Sequence, residues 1–433
     1  MARPTDSHIT TALTSLLPRR RIRTLARRLG VVQRRRKLDI VALVYSLVLG
    51  FSVGERRTLS GLRRTYLRAT GSRMAPSSFH ARFTAPMTQL MRALLLEALE
   101  QLGRSRPRTR AVFAPFVEVL AVDAALIRLH NALESLYPSV FTHYMKASAK
   151  LCIVMNVVGR GAKTVKITHG SHHDVHLLQA GGWMKGRLLI FDLGFYRATL
   201  FREIDRHGGY FLSRMKKDGN PIVISSHRRR CRTGIKLREL QDEAIDDILD
   251  VEGQMVYQQR HEQRPFVTNH SIRWRCVAVY NAELEQWHRY VTNMPPQMMK
   301  AEHFTAVYAA RWEVELLFRE LKCTYRIEQM PSANRHVTET LIYAALLTLV
   351  LSRRLYRVLT RRWKLRSRRI PFDRWARLIA TIAHDLLDVA LDRHDRAYRQ
   401  GRIERFLRAE AIDPNRARRH LVDKAQIGIY APA

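Results

Sequence analysis

The alternation of hydrophobic and polar residues divides the chain into a helical first part and a strand-rich middle part. Residues 1–112 repeat apolar positions at helical spacing. From residue 116 the pattern changes to apolar runs typical of buried strands, found at 116–129, 151–158, 164–170, 187–192 and 210–216. A helix is predicted between the last two runs, at about 195–207. Three strands followed by a strand, a helix and a strand predict a mixed α/β sheet.

The remaining part of the chain is interpreted as an insertion, a second part of the core and a C-terminal helical region. Residues 218–300 are polar and irregular, with a helical piece predicted near 237–250 and strand-like stretches at 266–280 and 287–293. Helices are predicted from about residue 302 and over 339–359. In chain order, the sequence predicts a helical basic region (1–112), the first part of the core (113–217), a β-rich insertion (218–300), the second part of the core (301–359) and a helical basic region (360–433).

The charge balance points to an acidic partner. The chain has 75 Lys and Arg residues against 38 Asp and Glu residues, a formal net charge of +37. Such an excess favours polyphosphate binding through counterion release. An Arg-rich composition from a GC-rich genome contributes, but it does not explain an imbalance near two to one.

Much of this charge lies near the N-terminus, in basic clusters at 19–23 and 34–37. Between them, TLARRLGVVQ (24–33) fits either a helix-turn-helix or an ordinary helix end at Gly30. Under both interpretations, the many cations suit contact with the DNA backbone.

The cysteine pattern and the lengths of the apolar runs indicate the compartment. The four cysteines are widely scattered and form no CxxC pair, which argues against a structural zinc site and a disulfide framework. The longest apolar run, 40–51, is too short to span a bilayer. The N-terminus lacks the apolar stretch of a signal peptide. We therefore expect a cytoplasmic protein that acts without a membrane.

Two aspartates stand in or at the end of apolar runs. Asp123 interrupts the first run, and Asp192 ends the run LLIF. Burying a carboxylate is unfavourable unless it is paired or binds a cation. A single one could be a satisfied core aspartate, whereas two on neighbouring strands suggest a shared site.

The stretch YAARWEVELLFRELK (308–322) supplies a third carboxylate. On a helix, Tyr308, Arg311, Glu315 and Lys322 share one face, whereas Glu313 and Glu320 fall off it and are expected to be solvated. One alternative is a surface stripe of salt bridges, which contributes little. The other is that Glu315 joins the two aspartates as a metal ligand while the cations contact phosphates.

Three carboxylates of this kind suit Mg²⁺ or Mn²⁺. Two such ions about 4 Å apart activate the attacking oxygen and stabilise the leaving oxygen in phosphoryl transfer. The sequence therefore predicts a two-ion site made by Asp123, Asp192 and Glu315.

These residues resemble the Y-(2)-R-(3)-E-(6)-K signature of prokaryotic insertion-sequence transposases of the DDE class. The resemblance covers about 116–359 and includes both upstream aspartates and a β-rich insertion before the glutamate. It implies a ribonuclease-H-like core with flanking helices. It further implies that Asp123, Asp192 and Glu315 bind metal. Tyr308, Arg311 and Lys322 would contact DNA at the transposon end.

The resemblance also implies cut-and-paste transposition. Water attacks a phosphodiester at the element's end, and the freed 3′-hydroxyl then attacks other phosphodiesters, including target DNA. The implied partners are double-stranded DNA, at terminal inverted repeats and target sites, and a second copy of the chain in a homodimer. In some relatives an aromatic residue of the insertion holds a flipped base. Trp287 is our first candidate for that role and Trp274 our second, each with a core tryptophan as the alternative.

Other interpretations are kept open beside this one. The chain could be a ribonuclease-H-like nuclease without strand transfer, or an inactive DNA-binding relative. In THGSHHDVH (168–176), His172 and His176 could share a helix face and bind zinc, although no third ligand has a familiar spacing. Asp174 in the same polar stretch is a rival to Asp192 for the second metal position.

Overall fold

The structure, a computed structural model, describes most of the chain. The described residues are 8–33, 38–51, 57–104, 109, 111–141, 143–159, 161–260, 267–328, 332–364, 370–392 and 395–414.

Within these residues, nine strands form a single sheet. The strands are β1 (Glu118–Arg128), β2 (Ser148–Asn156), β3 (Gly161–His169), β4 (Arg187–Phe191), β5 (Tyr210–Arg214), β6 (Ile222–Ser226), β7 (Ile248–Arg260), β8 (Val267–Asn281) and β9 (Gln286–Thr292). Their order across the sheet is β3-β2-β1-β4-β5-β9-β8-β7-β6.

The first five strands form a mixed sheet. β1 pairs antiparallel with β2, and β2 pairs antiparallel with β3. On its other side β1 pairs parallel with β4, which pairs parallel with β5. The apolar runs place β1, β2 and β4 in the buried centre. This arrangement confirms the predicted ribonuclease-H-like mixed α/β sheet.

The insertion continues this sheet. β9 pairs antiparallel with β5, and β8, β7 and β6 follow outward. The sequence pattern missed β6 and β7 because antiparallel strands with one solvated face carry many polar residues. The helix predicted near 237–250 is shorter than expected: it ends at Asp242, and β7 begins at Ile248.

Helices cover the sheet. In the described residues they are α1 (His8–Leu16), α2 (Arg19–Arg28), α3 (Ile40–Leu49), α4 (Leu59–Thr70), α5 (Pro76–His80), α6 (Ala85–Arg104), α7 (Ala198–Arg206), α8 (Leu237–Asp242), α9 (Phe304–Ala309), α10 (Trp312–Arg319), α11 (Arg335–Arg362), α12 (Phe372–Thr381), α13 (Ala383–Ala390) and α14 (Arg396–Ala411). On one sheet face a continuous apolar core joins the N-terminal and C-terminal helices to α9, α10 and α11. A smaller apolar core with α7 and α8 covers the other face.

The segment 24–33 ends a helix and does not form a helix-turn-helix. α2 ends at Arg28, Gly30 adopts φ +73°, and the Val31 N–H donates to the Ala26 carbonyl. The next helix in the described residues, α3, is buried along its whole length, so it cannot lie in a DNA groove.

Part of the first basic cluster serves internal packing. Arg21 pairs with Glu97, and Arg19 donates to the Ala390 carbonyl. The second basic cluster, 34–37, lies outside the described residues. No described helix is both long and apolar enough to cross a bilayer.

Candidate active site

The register between β1 and β4 brings the two predicted aspartates together. Val122 lies opposite Phe191 in this parallel pair, so the next positions are Asp123 and Asp192. Neighbouring strands run about 4.8 Å apart. Residues two apart on a strand share a face, so Asp123 faces the same side as Ala121, and Asp192 the same side as Ile190. Ala121 and Ile190 both belong to the core that includes α10 and α11. The two carboxylates therefore lie on the sheet face that these helices cover.

Asp123 is largely buried and has two acidic neighbours. Burial raises the pKa of its carboxyl to about 6, and the charges of Asp192 and Glu315 act in the same direction. The Ala124 N–H, which donates to Asp123 Oδ1 at 2.8 Å, and the Arg311 charge oppose the rise. Neither Asp123 nor Asp192 forms an ion pair with any residue that the structure describes.

Glu315 is the third member of this group. It lies on α10, which packs on β1, and its Oε1 atom is 2.6 Å from Arg311 Nη2. Across the described chain, no three acidic, histidine or cysteine side chains are close enough together to hold a metal ion as they stand. The charge of Glu315 still reaches Asp123, but Glu315 is engaged by Arg311, and the three carboxylates do not form a metal-binding cluster in this arrangement.

The segment 308–322, which carries Glu315, was predicted to be one unbroken helix, and this prediction was wrong. α9 ends at Ala309 and α10 begins at Trp312. Between them the chain tightens: the Ala310 N–H donates to the Val307 carbonyl and the Arg311 N–H donates to the Tyr308 carbonyl. Glu320–Thr324 then form a single π-helical turn. The breaks place Arg311 at the start of α10, directly beside Glu315.

Tyr308 lies deep in the same region. Its side chain is buried, and its hydroxyl has no hydrogen-bond partner among the described residues. The Tyr290 ring lies 5.4 Å away, centroid to centroid. Burial raises the pKa of Tyr308 to about 12; the Arg311 charge opposes this rise, and the Asp192 charge adds to it. Tyr308 and Arg311 therefore lie within electrostatic reach of Asp192.

Lys322 lies further along, near the end of β1. Its Nζ atom donates to the Leu126 carbonyl at 2.9 Å and lies 2.8 Å from Glu328 Oε1. The ammonium therefore borders the site and ties the π-helical turn to β1.

The expectation that Glu313 and Glu320 are solvated was wrong. Only 2% of Glu313 and 6% of Glu320 is exposed. Glu320 pairs with Arg353 of α11, and burial raises its pKa. Helical periodicity showed that Glu313 and Glu320 lie on a different face from Glu315. It could not show that other parts of the protein, such as α11, bury that face.

The two tryptophan candidates occupy different surroundings. Trp274 packs against Phe201 and Phe211 in the smaller core, with ring centroids 5.6 and 5.2 Å away, so it is a core residue. Trp287 is half-buried and contacts Tyr280 at 5.3 Å between centroids. Because β9 runs antiparallel to β5, Trp287 lies toward the sheet edge where β1, β4 and β5 end.

Sequence reasoning missed Arg214. Phe191 lies opposite Ser213 in the parallel β4–β5 pair, so Asp192 and Arg214 occupy the next positions. Asp123, Asp192 and Arg214 thus stand in a row across three strands. Arg214 makes no ion pair with a described residue, and its charge opposes the raised pKa of Tyr308. The sequence contained a signal for it. Arg214 lies in SRMK (213–216), at the end of a predicted strand, and Asp192 likewise stands at the end of one.

Asp174, the rival ligand, is held elsewhere. Its Oδ1 atom lies 2.7 Å from Lys150 Nζ. Its Oδ2 atom lies so close to Gly194 that a Cβ there would come within 2.9 Å. Asp174 therefore packs against the turn that follows Asp192.

The nearby histidines do not share a helix face as predicted. Asp174–His176 form a 3₁₀ turn, and the rings of His172 and His176 are 6.1 Å apart. The His176 Nδ1 atom instead lies 3.4 Å from Arg197 Nη1.

Comparison with known proteins identifies the family. The family model described as "Transposase DDE domain" matches residues 115–351, more than half of the chain. The chain therefore belongs to the family of transposases with a DDE domain.

The similar curated proteins are transposases of insertion sequences. The transposase for insertion sequence element IS231E of Bacillus thuringiensis subsp. finitimus is 22% identical over 364 residues, covering 76% of each chain. The transposase for IS231B of Bacillus thuringiensis subsp. berliner is 19% identical, covering 75% of this chain and 74% of the relative. The transposase for IS1151 of Clostridium perfringens is 18% identical, covering 68% and 69%.

Among solved structures, the chain is similar to a piggyBac transposase in a synaptic complex with hairpin DNA. The TM-score is 0.48 at 7% identity, covering 96% of this chain and 87% of that chain.

Proposed function

We propose that the chain is the transposase of an insertion sequence, which excises its element and joins it to target DNA. The juxtaposition of Asp123 and Asp192 on adjacent parallel strands, with Glu315 near enough for its charge to raise the pKa of Asp123, is the observation that carries this proposal. Family membership, the named relatives and the formal net charge of +37 support it.

The donor set fits a divalent cation. Asp123 and Asp192 have no cation of their own among the described residues, and three carboxylates repel one another there. We propose that Asp123, Asp192 and Glu315 hold Mg²⁺ or Mn²⁺, in two ions, because hard oxygen ligands suit these metals. When bound, the ions supply Lewis-acid activation of the attacking oxygen and charge stabilisation of the leaving oxygen.

Glu315 must change partners for this role. Its carboxylate is now engaged by Arg311, so its use as a ligand would release the Arg311 guanidinium. A released guanidinium can bind a phosphate with two parallel hydrogen bonds. We assign phosphate contact to Arg311, Lys322 and Arg214, and DNA contact to Tyr308 in the Y-R-E-K signature.

The chemistry is phosphoryl transfer in two stages. Water attacks the phosphorus at the element's end, the P–O3′ bond breaks, and the leaving oxygen takes a proton to become a 3′-hydroxyl. That hydroxyl then attacks other phosphodiesters, first to release the element from its second strand and then in the target, and each attack displaces a 3′-oxygen that takes up the proton the hydroxyl loses. The Ala124 N–H fixes Asp123 Oδ1 in place during these steps.

The substrates we assign are terminal inverted repeats and target sites in double-stranded DNA, bound by a homodimer. Trp287 lies toward the site edge of the sheet and remains our candidate for holding a flipped base. It could do so by stacking, since an indole ring accepts any base.

The test is an excision assay. Purified protein is incubated with Mg²⁺ and a plasmid that carries the element's terminal repeats. Excision is expected with the wild type and should be abolished in Asp123→Asn, Asp192→Asn and Glu315→Gln. A matched control is Asp246→Asn, an exposed carboxylate paired weakly with Arg229, which should excise as the wild type does.

The outcomes separate the alternatives. Excision that survives in all three variants, or no cleavage by the wild type, would refute the proposal. Cleavage without joining to target would instead identify a nuclease, and DNA binding without cleavage would identify an inactive relative.

A further inference from the structure

The connection between β1 and β2 carries an exposed aromatic pair. The rings of Phe141 and Tyr144 stack at 5.3 Å with an interplanar angle of 26°. Phe141 is 43% and Tyr144 64% exposed, and Leu136 and Val140 beside them are also exposed. A cluster of large exposed apolar side chains is unusual on a protein surface without a partner.

The described residues of the connection are bonded to one another and to α11. Pro138 and Ala147 form a β-bridge at its base, and the Met145 N–H donates to the Phe141 carbonyl at 3.0 Å. Tyr137 bonds to Glu339 of α11. The aromatic pair is therefore presented in a fixed position.

The pair projects from the site edge of the sheet. β1 and β4 are parallel, so the connection that leaves the end of β1 lies at the edge where Asp192 follows β4. Arg128 lies five positions after Asp123 on β1. At about 3.3 Å per residue, the connection begins about 16 Å from Asp123. That distance equals about five nucleotides along one DNA strand.

The surrounding charge selects the partner. Arg128 donates to the Tyr144 carbonyl at 3.1 Å, and Lys146 is exposed two residues after Tyr144. Within residues 128–147, Glu134 is the one acidic residue in the sequence. Four partly exposed side chains also offer far less area than the about 800 Å² per partner of a stable dimer. Cations beside stacked rings match nucleic acid, since bases stack on rings and phosphates bind the cations.

We propose that Phe141 and Tyr144 form a base-stacking wedge that contacts DNA about five nucleotides from the cut. The inference rests on the proposed function, because it assigns the wedge to DNA held at the site. Inserted apolar side chains unstack and kink DNA, so the wedge would hold the strand in a bent path.

The test places 2-aminopurine, whose fluorescence reports base stacking, at successive positions of duplexes that carry the element's end and its flank. Full-length protein is added in EDTA to prevent cleavage. The wild type should change the fluorescence at positions about four to eight nucleotides from the scissile phosphate. Phe141→Ala/Tyr144→Ala should lose that signal and bind the duplex about tenfold more weakly.

Two controls make the result specific. Tyr398→Ala removes another exposed aromatic, 66% exposed on α14, and should behave as the wild type. Tyr144→Phe keeps the ring and should keep the signal. Because the substituted rings are exposed, the double variant should fold, which its thermal unfolding verifies.

Several outcomes would overturn the inference. One is a double variant whose fluorescence scan is unchanged and whose DNA binding stays within twofold of the wild type. Another is a double variant that no longer dimerises but gives the same fluorescence, which would identify a self-association surface. If the wild type excises DNA but the double variant matches it in every assay, the wedge alone is refuted. If the wild type does not cleave with Mg²⁺, the proposed function fails as well.

Discussion

Glu118 and Asp123 are two carboxylates of the same strand in opposite electrostatic surroundings. Glu118 begins β1 with 3% exposure and bonds to Lys163, Arg187 and Asn156. Burial favours its neutral form, but these partners hold its pKa below the usual value. Asp123, five residues later, accepts one backbone N–H, and its pKa is raised to about 6.

The difference separates a carboxylate whose charge the fold satisfies from one that we propose to be functional. The fold supplies Glu118 with its own cations, so its charge is satisfied without a ligand. Asp123 instead feels the charges of Asp192 and Glu315, and the Arg311 guanidinium near it is paired with Glu315. A carboxylate group short of cations is what an external metal would complete.

The largest change in stability is expected when Glu118, at the start of β1, is substituted. Glu118→Gln removes the buried negative charge that faces Arg187 and Lys163, so the free energy of unfolding should fall by about 3–5 kcal/mol. Urea denaturation measures it. Glu203→Gln, an exposed partner of Arg206, is the control and should cost less than about 1 kcal/mol. Equal losses in the two variants would contradict the comparison.

The opposite sign is expected for Asp123→Asn without metal. The folded pKa of about 6 exceeds the usual 3.8, so stability from this group is complete below pH 3.8 and is lost as pH rises through 6. In EDTA at pH 8, the substitution should therefore stabilise the protein, by up to about 3 kcal/mol. At pH 4 the gain should vanish. A destabilised variant at pH 8 would show that the carboxylate is satisfied internally.

A smaller effect is expected from the turn after Asp192. Gly194→Ala places a Cβ within 2.9 Å of Asp174 Oδ2, so the turn or the Lys150–Asp174 pair must shift. We expect excision to slow by about 10- to 100-fold, because small displacements of reacting groups lower reaction rates by such factors. Gly182→Ala, where a Cβ would meet nothing within 4 Å, should leave the rate unchanged. Equal rates for both variants would remove Asp174 from the account.

The smallest effect on stability is expected for Tyr308→Phe. The buried hydroxyl has no partner among the described residues, so its removal should change the free energy of unfolding by less than about 1 kcal/mol. If the hydroxyl contacts DNA, affinity for the terminal repeats should still fall. Unchanged affinity would confine Tyr308 to packing.

The sequence carried the strands of the core but not their register. Apolar runs locate β1 and β4, because a buried strand needs them. The pairing that sets Asp123 beside Asp192 joins residues far apart in the chain, so no local pattern encodes it. Arg214 was missed for the same reason, since its place in the row depends on two parallel pairings. Glu320 was misjudged because periodicity does not show that α11 supplies Arg353.

The central claim is that Asp123, Asp192 and Glu315 share divalent cations, and Mn²⁺ binding tests it most directly. Electron paramagnetic resonance of free Mn²⁺ gives the number of ions bound per chain. The wild type and Asp246→Asn should bind two ions, whereas Asp123→Asn, Asp192→Asn and Glu315→Gln should each lose at least one. Equal stoichiometry in all five proteins, or no binding by the wild type, would contradict the account.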